Sequence, residues 1–172
     1  MNPAQVGKSK TRRIPYQRPP AMADRMAEHA LRLLLVEDNP KDARLLDLAL
    51  GETDGIAYRL EVAPNLAEGV RRLLDGGIHL VLLDLGLPDS QGLDTLVRLV
   101  QAVADVPIVV LTGLDDDEME QAAKRRGAMG YLVKGRVTPE ALVHVMQDAV
   151  ARRDEARRPT RSLGGKPGAQ AS

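Results

Sequence analysis

The sequence predicts an α/β fold in which a parallel sheet of five strands is covered by helices on both faces. Short apolar stretches alternate with segments of helical apolar spacing, five times in succession, through the middle of the chain. Some of these stretches, such as "IHLVLLD", are apolar almost throughout, which is typical of strands buried on both faces. Right-handed crossovers between such strands place their carboxyl ends at one edge of the sheet.

The first strand and the first helix have clear limits in the sequence. "LRLLLV", from Leu31 to Val36, is predicted as a buried strand. Asn39 is predicted to cap a helix that has Pro40 at its first position. Apolar spacing continues this helix to Gly51, a residue type that commonly follows the last helical turn.

The remaining four units repeat this arrangement. "YRLEVA" alternates as the second strand, and the helix in "NLAEGVRRLLDGG" opens with the capping-box spacing of Asn65 and Glu68. "IHLVLLD", "VPIVVLT" and "AMGYLV" are predicted as the third, fourth and fifth strands. The helices that follow them are predicted near Leu93 to Val103 and after Asp115. The last helix is predicted to run from Thr138, which caps it, to about Arg158.

The composition indicates one acidic domain between two basic tails. We predict a disordered basic tail over residues 1–28, a folded domain over 29–158 and a flexible tail over 159–172, because neither tail shows periodic apolar spacing. Residues 1–20 carry five basic and no acidic residues, and residues 151–172 carry six basic and two acidic ones. The part between them holds 13 basic and 22 acidic residues. Such an acidic domain argues against direct nucleic-acid binding.

The absence of cysteine and of long apolar runs limits the function further. A chain without cysteine forms no disulfides, cysteine-ligated metal sites or thiol nucleophiles. No apolar run approaches the roughly 18 residues that a membrane span needs, and the basic N-terminus lacks the apolar segment of a signal peptide. We therefore expect a cytoplasmic protein that neither spans nor binds a membrane.

Polar side chains stand at the carboxyl ends of four of the five predicted strands. Glu37 and Asp38 follow the first strand, Asp84 ends the third, Thr112 ends the fourth and Lys134 follows the fifth. Carboxylates brought together there raise one another's pKa unless a cation lies between them. Mg²⁺ prefers carboxylate and carbonyl ligands and commonly works beside a phosphate. An aspartate can also be a nucleophile that forms an aspartyl-phosphate.

Several motifs occur together in one order. The stretches "LLLVEDNP", "LVLLDLGLPDSQGLDTL", "PIVVLTG" and "GAMGYLVKG" resemble the receiver domain of two-component response regulators, from about Leu31 to Arg153. Several motifs in the right order are more specific than any short motif alone. The resemblance implies a flavodoxin-like, doubly wound sheet of strand order 2-1-3-4-5 with five helices.

The resemblance also implies roles for individual residues. Asp84 resembles the phosphoacceptor, and Glu37 and Asp38 resemble the acidic pair that holds Mg²⁺ together with Asp84 and the main-chain carbonyl of Gly86. The phosphoryl-binding and switch residues of the family correspond by position to Thr112, Lys134 and Tyr131. Two positions depart from the family pattern: Gly135 follows the lysine where proline is common, and Glu37 stands where aspartate is common. We expect a trans peptide bond before Gly135 and a water-mediated metal contact at Glu37.

The implied function is signalling by phosphoryl transfer. A histidine kinase or a histidine phosphotransfer protein would supply the phosphoryl group, which the domain would later lose by hydrolysis, without turnover of an external substrate. The implied recipients of the signal are an unidentified downstream protein or a second copy of the chain. The alternative is a receiver-like interaction module that is not phosphorylated.

Other functions fit the sequence less well. A phosphatase of the haloacid-dehalogenase type needs a second aspartate two positions after the nucleophile, where Gly86 stands. A nucleotide-binding domain would have glycines after the first strand, and "VEDNPKDA" has none. The residues after Arg158 are too few and too rich in glycine for a helix-turn-helix. His29, His79 and His144 share no metal-binding spacing, and we interpret them as structural or surface residues.

Some of these residues also have a simpler structural interpretation. Thr112 could cap the loop that follows it, Tyr131 could be an ordinary strand aromatic, and Glu37 could be a solvated neighbour of the site. For Asp84 the simple interpretation is a turn cap, but Asp38, Thr112 and Lys134 at the matching strand ends argue against it.

Overall fold

A parallel sheet of five strands forms the middle of the domain. The computed structural model describes residues 30–53, 56–103 and 105–158, so the two predicted tails lie outside the described residues. The main strands are β1 (Leu31–Val36), β2 (Tyr58–Ala63), β3 (Leu80–Asp84), β6 (Ile108–Thr112) and β7 (Gly130–Val133). They pair in parallel in the order β2-β1-β3-β6-β7. This order is the predicted 2-1-3-4-5, so the predicted fold class is confirmed.

Five helices cover the two faces of this sheet. They are α1 (Pro40–Gly51), α2 (Leu66–Leu74), α3 (Leu93–Ala102), α4 (Asp117–Arg125) and α5 (Pro139–Arg157). One core contains side chains of α2, α3 and α4, and the other contains side chains of α1 and α5. Alternate residues of each central strand enter opposite cores, and fully burying one leucine side chain contributes about 1.5–3 kcal/mol. Among the described helices, none combines the length and apolar character that crossing a bilayer would require.

The predicted helix caps are present. Asn39 Oδ1 accepts a hydrogen bond of 3.0 Å from the Lys41 amide, and Asn65 Oδ1 accepts one of 2.8 Å from the Glu68 amide. Thr138 Oγ1 accepts one of 3.2 Å from the amide of Ala141. Each cap provides an acceptor for an amide at the start of a helix that has no partner within the helix itself.

A short hairpin after the third strand was not predicted. Its strands, β4 (Gly86–Leu87) and β5 (Ser90–Gln91), pair antiparallel. Between them, the two carboxylate oxygens of Asp89 accept hydrogen bonds of 2.9 Å from the amides of Leu66 and Ala67, at the N-terminus of α2. The hairpin thus ties the loop that follows β3 to a neighbouring helix.

Candidate functional site at the carboxyl edge of the sheet

Three predicted site residues form a carboxylate cluster. One oxygen each of Glu37, Asp38 and Asp84 lies within 4.8 Å of the others. They come together because β1 and β3 are neighbours, with Val36 aligned to Leu83 in the sheet register. The Glu37 side chain is almost fully buried, whereas Asp38 is exposed. Two chain segments far apart in sequence therefore present their carboxylates at one place.

The ammonium group of Lys134 lies within this cluster. Lys134 follows β7, two strands away from β3, and its long side chain brings Nζ to 2.7 Å from Asp84 Oδ2 and 2.5 Å from Glu37 Oε2. A third contact, of 3.1 Å, joins Nζ to Asp42 Oδ2. An ammonium has three N–H donors, so each can be directed at a different carboxylate.

Burial and charge oppose each other at these groups. Burial alone would lower the pKa of the Lys134 ammonium, but the hydrogen bonds to Asp84 and Glu37 outweigh it, so the pKa lies above its usual value. Burial raises the pKa of the Glu37 carboxyl, and the hydrogen bond from Lys134 offsets only part of this rise. Lys134 is therefore cationic at neutral pH and balances part of the negative charge of the cluster.

The donor set fits a hard divalent cation. Three carboxylate oxygens within 4.8 Å of one another are the ligand type that Mg²⁺ prefers. The Asp84 carboxylate is oriented by its other oxygen, Oδ1, which accepts a hydrogen bond of 3.0 Å from the Gly86 amide. Glu37 is oriented in the same way, because Oε1 accepts a 3.0 Å hydrogen bond from the Asn39 amide. The carbonyl of Gly86 as a metal ligand, and water at Glu37, stay predictions.

Thr112 and Tyr131 lie on the next two strands, and hydrogen bonds through Leu114 connect them. Thr112 is buried at the end of β6, and its carbonyl accepts a hydrogen bond of 2.7 Å from the Lys134 amide. Its hydroxyl oxygen accepts one of 3.2 Å from the Leu114 amide. The buried Tyr131 donates its hydroxyl to the Leu114 carbonyl at 3.1 Å. Thr112 caps its loop, as the simpler interpretation proposed, and this cap also links it to Tyr131.

The sequence interpretation missed one residue of the site. Asp42 lies in the first turn of α1, where acids are common because they complement the helix dipole, so its sequence position alone gave no sign of a contact with Lys134. Gly135 has φ +79° and follows a trans peptide bond, as expected for this departure from the family pattern. His79 Nδ1 accepts a hydrogen bond of 2.9 Å from the Arg32 amide, whereas His144 is exposed near Asp148; His29 lies outside the described residues.

The fold and the strand-end cluster together define a flavodoxin-like α/β module with its chemistry at the carboxyl edge of the sheet. Comparison with known families makes the assignment specific. The model of the response regulator receiver domain matches residues 33–147. The chain belongs to this family, whose members are signalling modules of two-component systems.

Related proteins and structures agree with this assignment. The uncharacterized transcriptional regulatory protein YkoG of Bacillus subtilis is 35% identical over 113 residues, which are 66% of this chain and 48% of YkoG. The swarming motility regulation protein RssB of Serratia marcescens is 36% identical over 115 residues, which are 67% of this chain and 51% of RssB. This chain therefore spans about half the length of these curated relatives.

A solved structure shows the same architecture. The crystal structure of a response regulator receiver domain from Clostridium thermocellum matches with a TM-score of 0.63 and 25% sequence identity. The match covers 73% of this chain and 98% of the solved chain. The matched region is thus nearly a whole receiver domain.

Proposed function

We propose that this receiver domain accepts a phosphoryl group on Asp84 from a phosphohistidine of a histidine kinase or a histidine phosphotransfer protein. The observation that carries the proposal is the Lys134 ammonium 2.7 Å from Asp84 Oδ2, inside a cluster with Glu37 and Asp38. A lone strand-end aspartate would be an ordinary turn cap. An aspartate beside a half-buried lysine and two further carboxylates combines a nucleophile, a cation and metal-ligating oxygens, which supports aspartyl phosphorylation.

The transfer uses the carboxylate as nucleophile. An Asp84 oxygen attacks the phosphorus while the P–N bond of phosphohistidine breaks, and the departing imidazole keeps the electron pair and takes a proton from solvent. Lys134 donates to a phosphoryl oxygen, and so does the Thr112 hydroxyl once it has turned. Glu37, Asp38, Asp84 and the Gly86 carbonyl would hold Mg²⁺, which would offset the negative charge of the phosphoryl oxygens. Water later attacks the phosphorus, which returns the carboxylate and releases inorganic phosphate.

The signal leaves through a change of surface. Hydrogen bonds join Thr112 through Leu114 to Tyr131, which links the phosphoryl site to the exposed loop before α4 and to β7. A downstream protein or a second copy of the chain reads this surface, and the domain itself does not contact nucleic acid. The proposed place of action is the cytoplasm, which fits a chain without cysteine.

Phosphorylation by a small-molecule donor tests the proposal. Acetyl phosphate with Mg²⁺ should add one phosphoryl group, measured by intact mass, and the modification should be sensitive to hydroxylamine. Asp84→Asn should remain unmodified, whereas Asp75→Asn, an exposed aspartate at the end of α2, should be labelled like the wild type. A wild-type protein that takes up no label would favour the interaction-module alternative, and label retained by Asp84→Asn would show that the acceptor is another residue.

A further inference from the structure

Three carboxylates contact the Lys134 ammonium, and only two of them also belong to the cluster that fits a metal ion. Glu37 and Asp84 belong to the cluster that fits a metal ion, whereas Asp42 does not. Asp42 reaches Nζ from a different element, the first turn of α1, with a distance of 3.1 Å to its Oδ2. Of the three, it is the carboxylate with no part in the metal cluster.

The position of Asp42 is fixed by the start of its helix. Asn39 caps α1 with a hydrogen bond to the Lys41 amide, and Pro40 occupies the first helical position. The Glu37 carboxylate in turn accepts from the Asn39 amide, so the same short segment places both Glu37 and Asp42 around Lys134. The Asp42 side chain is 36% exposed, against 2% for Glu37, so it lies at the open side of the ammonium.

We propose that Asp42 is a positioning residue that holds the Lys134 ammonium beside Asp84 when the oxygens of Glu37 and Asp84 turn to a metal ion. A bound cation repels the ammonium and competes for two of its three acceptors. Asp42 then remains as the anion that keeps Nζ at hydrogen-bonding distance from the phosphoryl group. The inference rests on the proposed phosphoryl transfer to Asp84.

A plain surface ion pair would behave differently. An exposed pair adds little to stability, and its loss would leave Lys134 held by Glu37 and Asp84. The proposed role predicts instead that the effect of losing Asp42 acts through Lys134 and is largest with metal present. The position of the Lys134 ammonium with Mg²⁺ present therefore distinguishes a positioning residue from a plain surface ion pair, whereas the stability of the fold does not.

The direct test observes the Lys134 ammonium by ¹⁵N-edited NMR of the full chain, with the signal assigned from its absence in Lys134→Met. In the wild type the signal should stay shifted from the solvated lysine position both without and with Mg²⁺. In Asp42→Asn, which keeps the shape and removes the charge, it should move to the solvated position or broaden when Mg²⁺ is added. Asp47→Asn, which removes an acid from the same helix, should behave like the wild type.

Phosphorylation rates provide the second readout. With saturating Mg²⁺, Asp42→Asn should slow labelling by acetyl phosphate by roughly fivefold, and Asp42→Glu should restore part of the rate. In a Lys134→Ala background, Asp42→Asn should change the rate by less than about twofold, since a positioning residue acts through the group it positions. A loss of equal size in that background would indicate a general effect of charge and overturn the proposal.

The remaining outcomes are also decisive. An unchanged ammonium signal in Asp42→Asn with Mg²⁺, or an unchanged or faster rate, would show that Asp42 does not hold Lys134. The wild type is labelled in the same assay, so a failure of phosphoryl transfer to Asp84 itself is seen there and is distinct from a failure of the Asp42 inference.

Discussion

The hydroxyl of Tyr131 donates a hydrogen bond of 3.1 Å to the main-chain carbonyl of Leu114. The amide of Leu114 in turn donates to Thr112 Oγ1 at 3.2 Å. Leu114 is 59% exposed, whereas Thr112 and Tyr131 are buried. A movement of the Thr112 hydroxyl toward Asp84 would therefore break a contact of an exposed loop, which connects the interior of the site to the surface.

This path predicts a concerted response to a phosphoryl mimic. Beryllofluoride with Mg²⁺ should shift the amide resonances of Thr112, Leu114 and Tyr131 together with those of α4, because one hydroxyl and one loop link them. In Tyr131→Phe, which keeps the ring and removes the donor, the shifts at residue 131 and α4 should become smaller. Tyr58→Phe, whose hydroxyl contacts Asp47 in α1, should leave them unchanged. Shifts confined to residues that touch Asp84 would contradict this coupling.

The two carboxylates that follow β1, those of Glu37 and Asp38, should contribute unequally to Mg²⁺ binding. Both oxygens of Glu37 already accept hydrogen bonds, from Lys134 and Asn39, whereas Asp38 is exposed. Asp38→Asn should therefore weaken Mg²⁺ binding by about tenfold or more, equal to about 1.4 kcal/mol, and Glu37→Gln should weaken it less. Titration calorimetry of the metal-free protein measures both. Equal losses, or a larger loss for Glu37→Gln, would mean that the pair is assigned in the wrong order.

Most of the fold could be predicted because its signals are local. The apolar runs of the strands and the caps at Asn39, Asn65 and Thr138 lie within a few residues of the structure that they determine. The hairpin after β3 was missed because strands of two residues are too short to show alternation. The cap that Asp89 provides for α2 was missed because its partners lie 22 and 23 residues earlier.

The site was predictable to the extent that strand ends determine it. In a parallel sheet the ends of β1, β3, β6 and β7 meet at one edge, which brings Glu37, Asp38, Asp84 and Lys134 together. Asp42 belongs to no strand, and its contact with Lys134 spans 92 positions of the chain. Such contacts depend on the approach of a helix to a loop, which no local pattern encodes.

The edge strand β2 is joined to α2 by an ion pair that predicts a dependence of stability on pH. Arg72 donates to both oxygens of Glu61, at 2.5 and 2.8 Å, and these hydrogen bonds lower the pKa of the Glu61 carboxyl. The pKa of Glu61 is therefore lower in the folded chain than in the unfolded chain, where it is about 4.3. Between these two pKa values the unfolded chain binds more protons than the folded chain. The stabilisation is thus present above the unfolded pKa and is lost as the pH falls through the folded pKa.

Substitution of Glu61 measures the contribution of this ion pair to stability. Glu61→Gln should lower the free energy of unfolding at pH 7 by up to about 1 kcal/mol, a small value because the side chain is 36% exposed. The difference from the wild type should narrow as the pH falls below about 4.3, measured by urea unfolding at a series of pH values. The exposed Glu52 offers a control for the loss of one negative charge, since Glu52→Gln should change the free energy of unfolding at pH 7 by less than Glu61→Gln does. A difference that stays constant with pH would mean that the substitution acts through something other than the charge of Glu61.

The positive φ of Gly135 predicts that substitutions at this position destabilise the fold. Its φ of +79° lies in the left-handed region, and a Cβ at this position would meet no atom within 4 Å. Only backbone conformation therefore opposes a side chain, and Gly135→Ala should cost about 1 kcal/mol in the free energy of unfolding. Gly135→Pro should cost more, because proline fixes φ near −65° and the turn would have to rearrange.

Gly113 provides the matched comparison for this last prediction. It also follows a strand at the same edge of the sheet and has open space around a Cβ, but its φ is not positive. Gly113→Ala should therefore change the free energy of unfolding by no more than about 0.5 kcal/mol. Urea unfolding at pH 7 compares the three variants with the wild type. If Gly135→Ala were as mild as Gly113→Ala, the turn would accommodate an ordinary φ and would not require glycine. A selective loss at Gly135 would instead mean that the backbone after Lys134 needs the left-handed conformation that glycine adopts without strain.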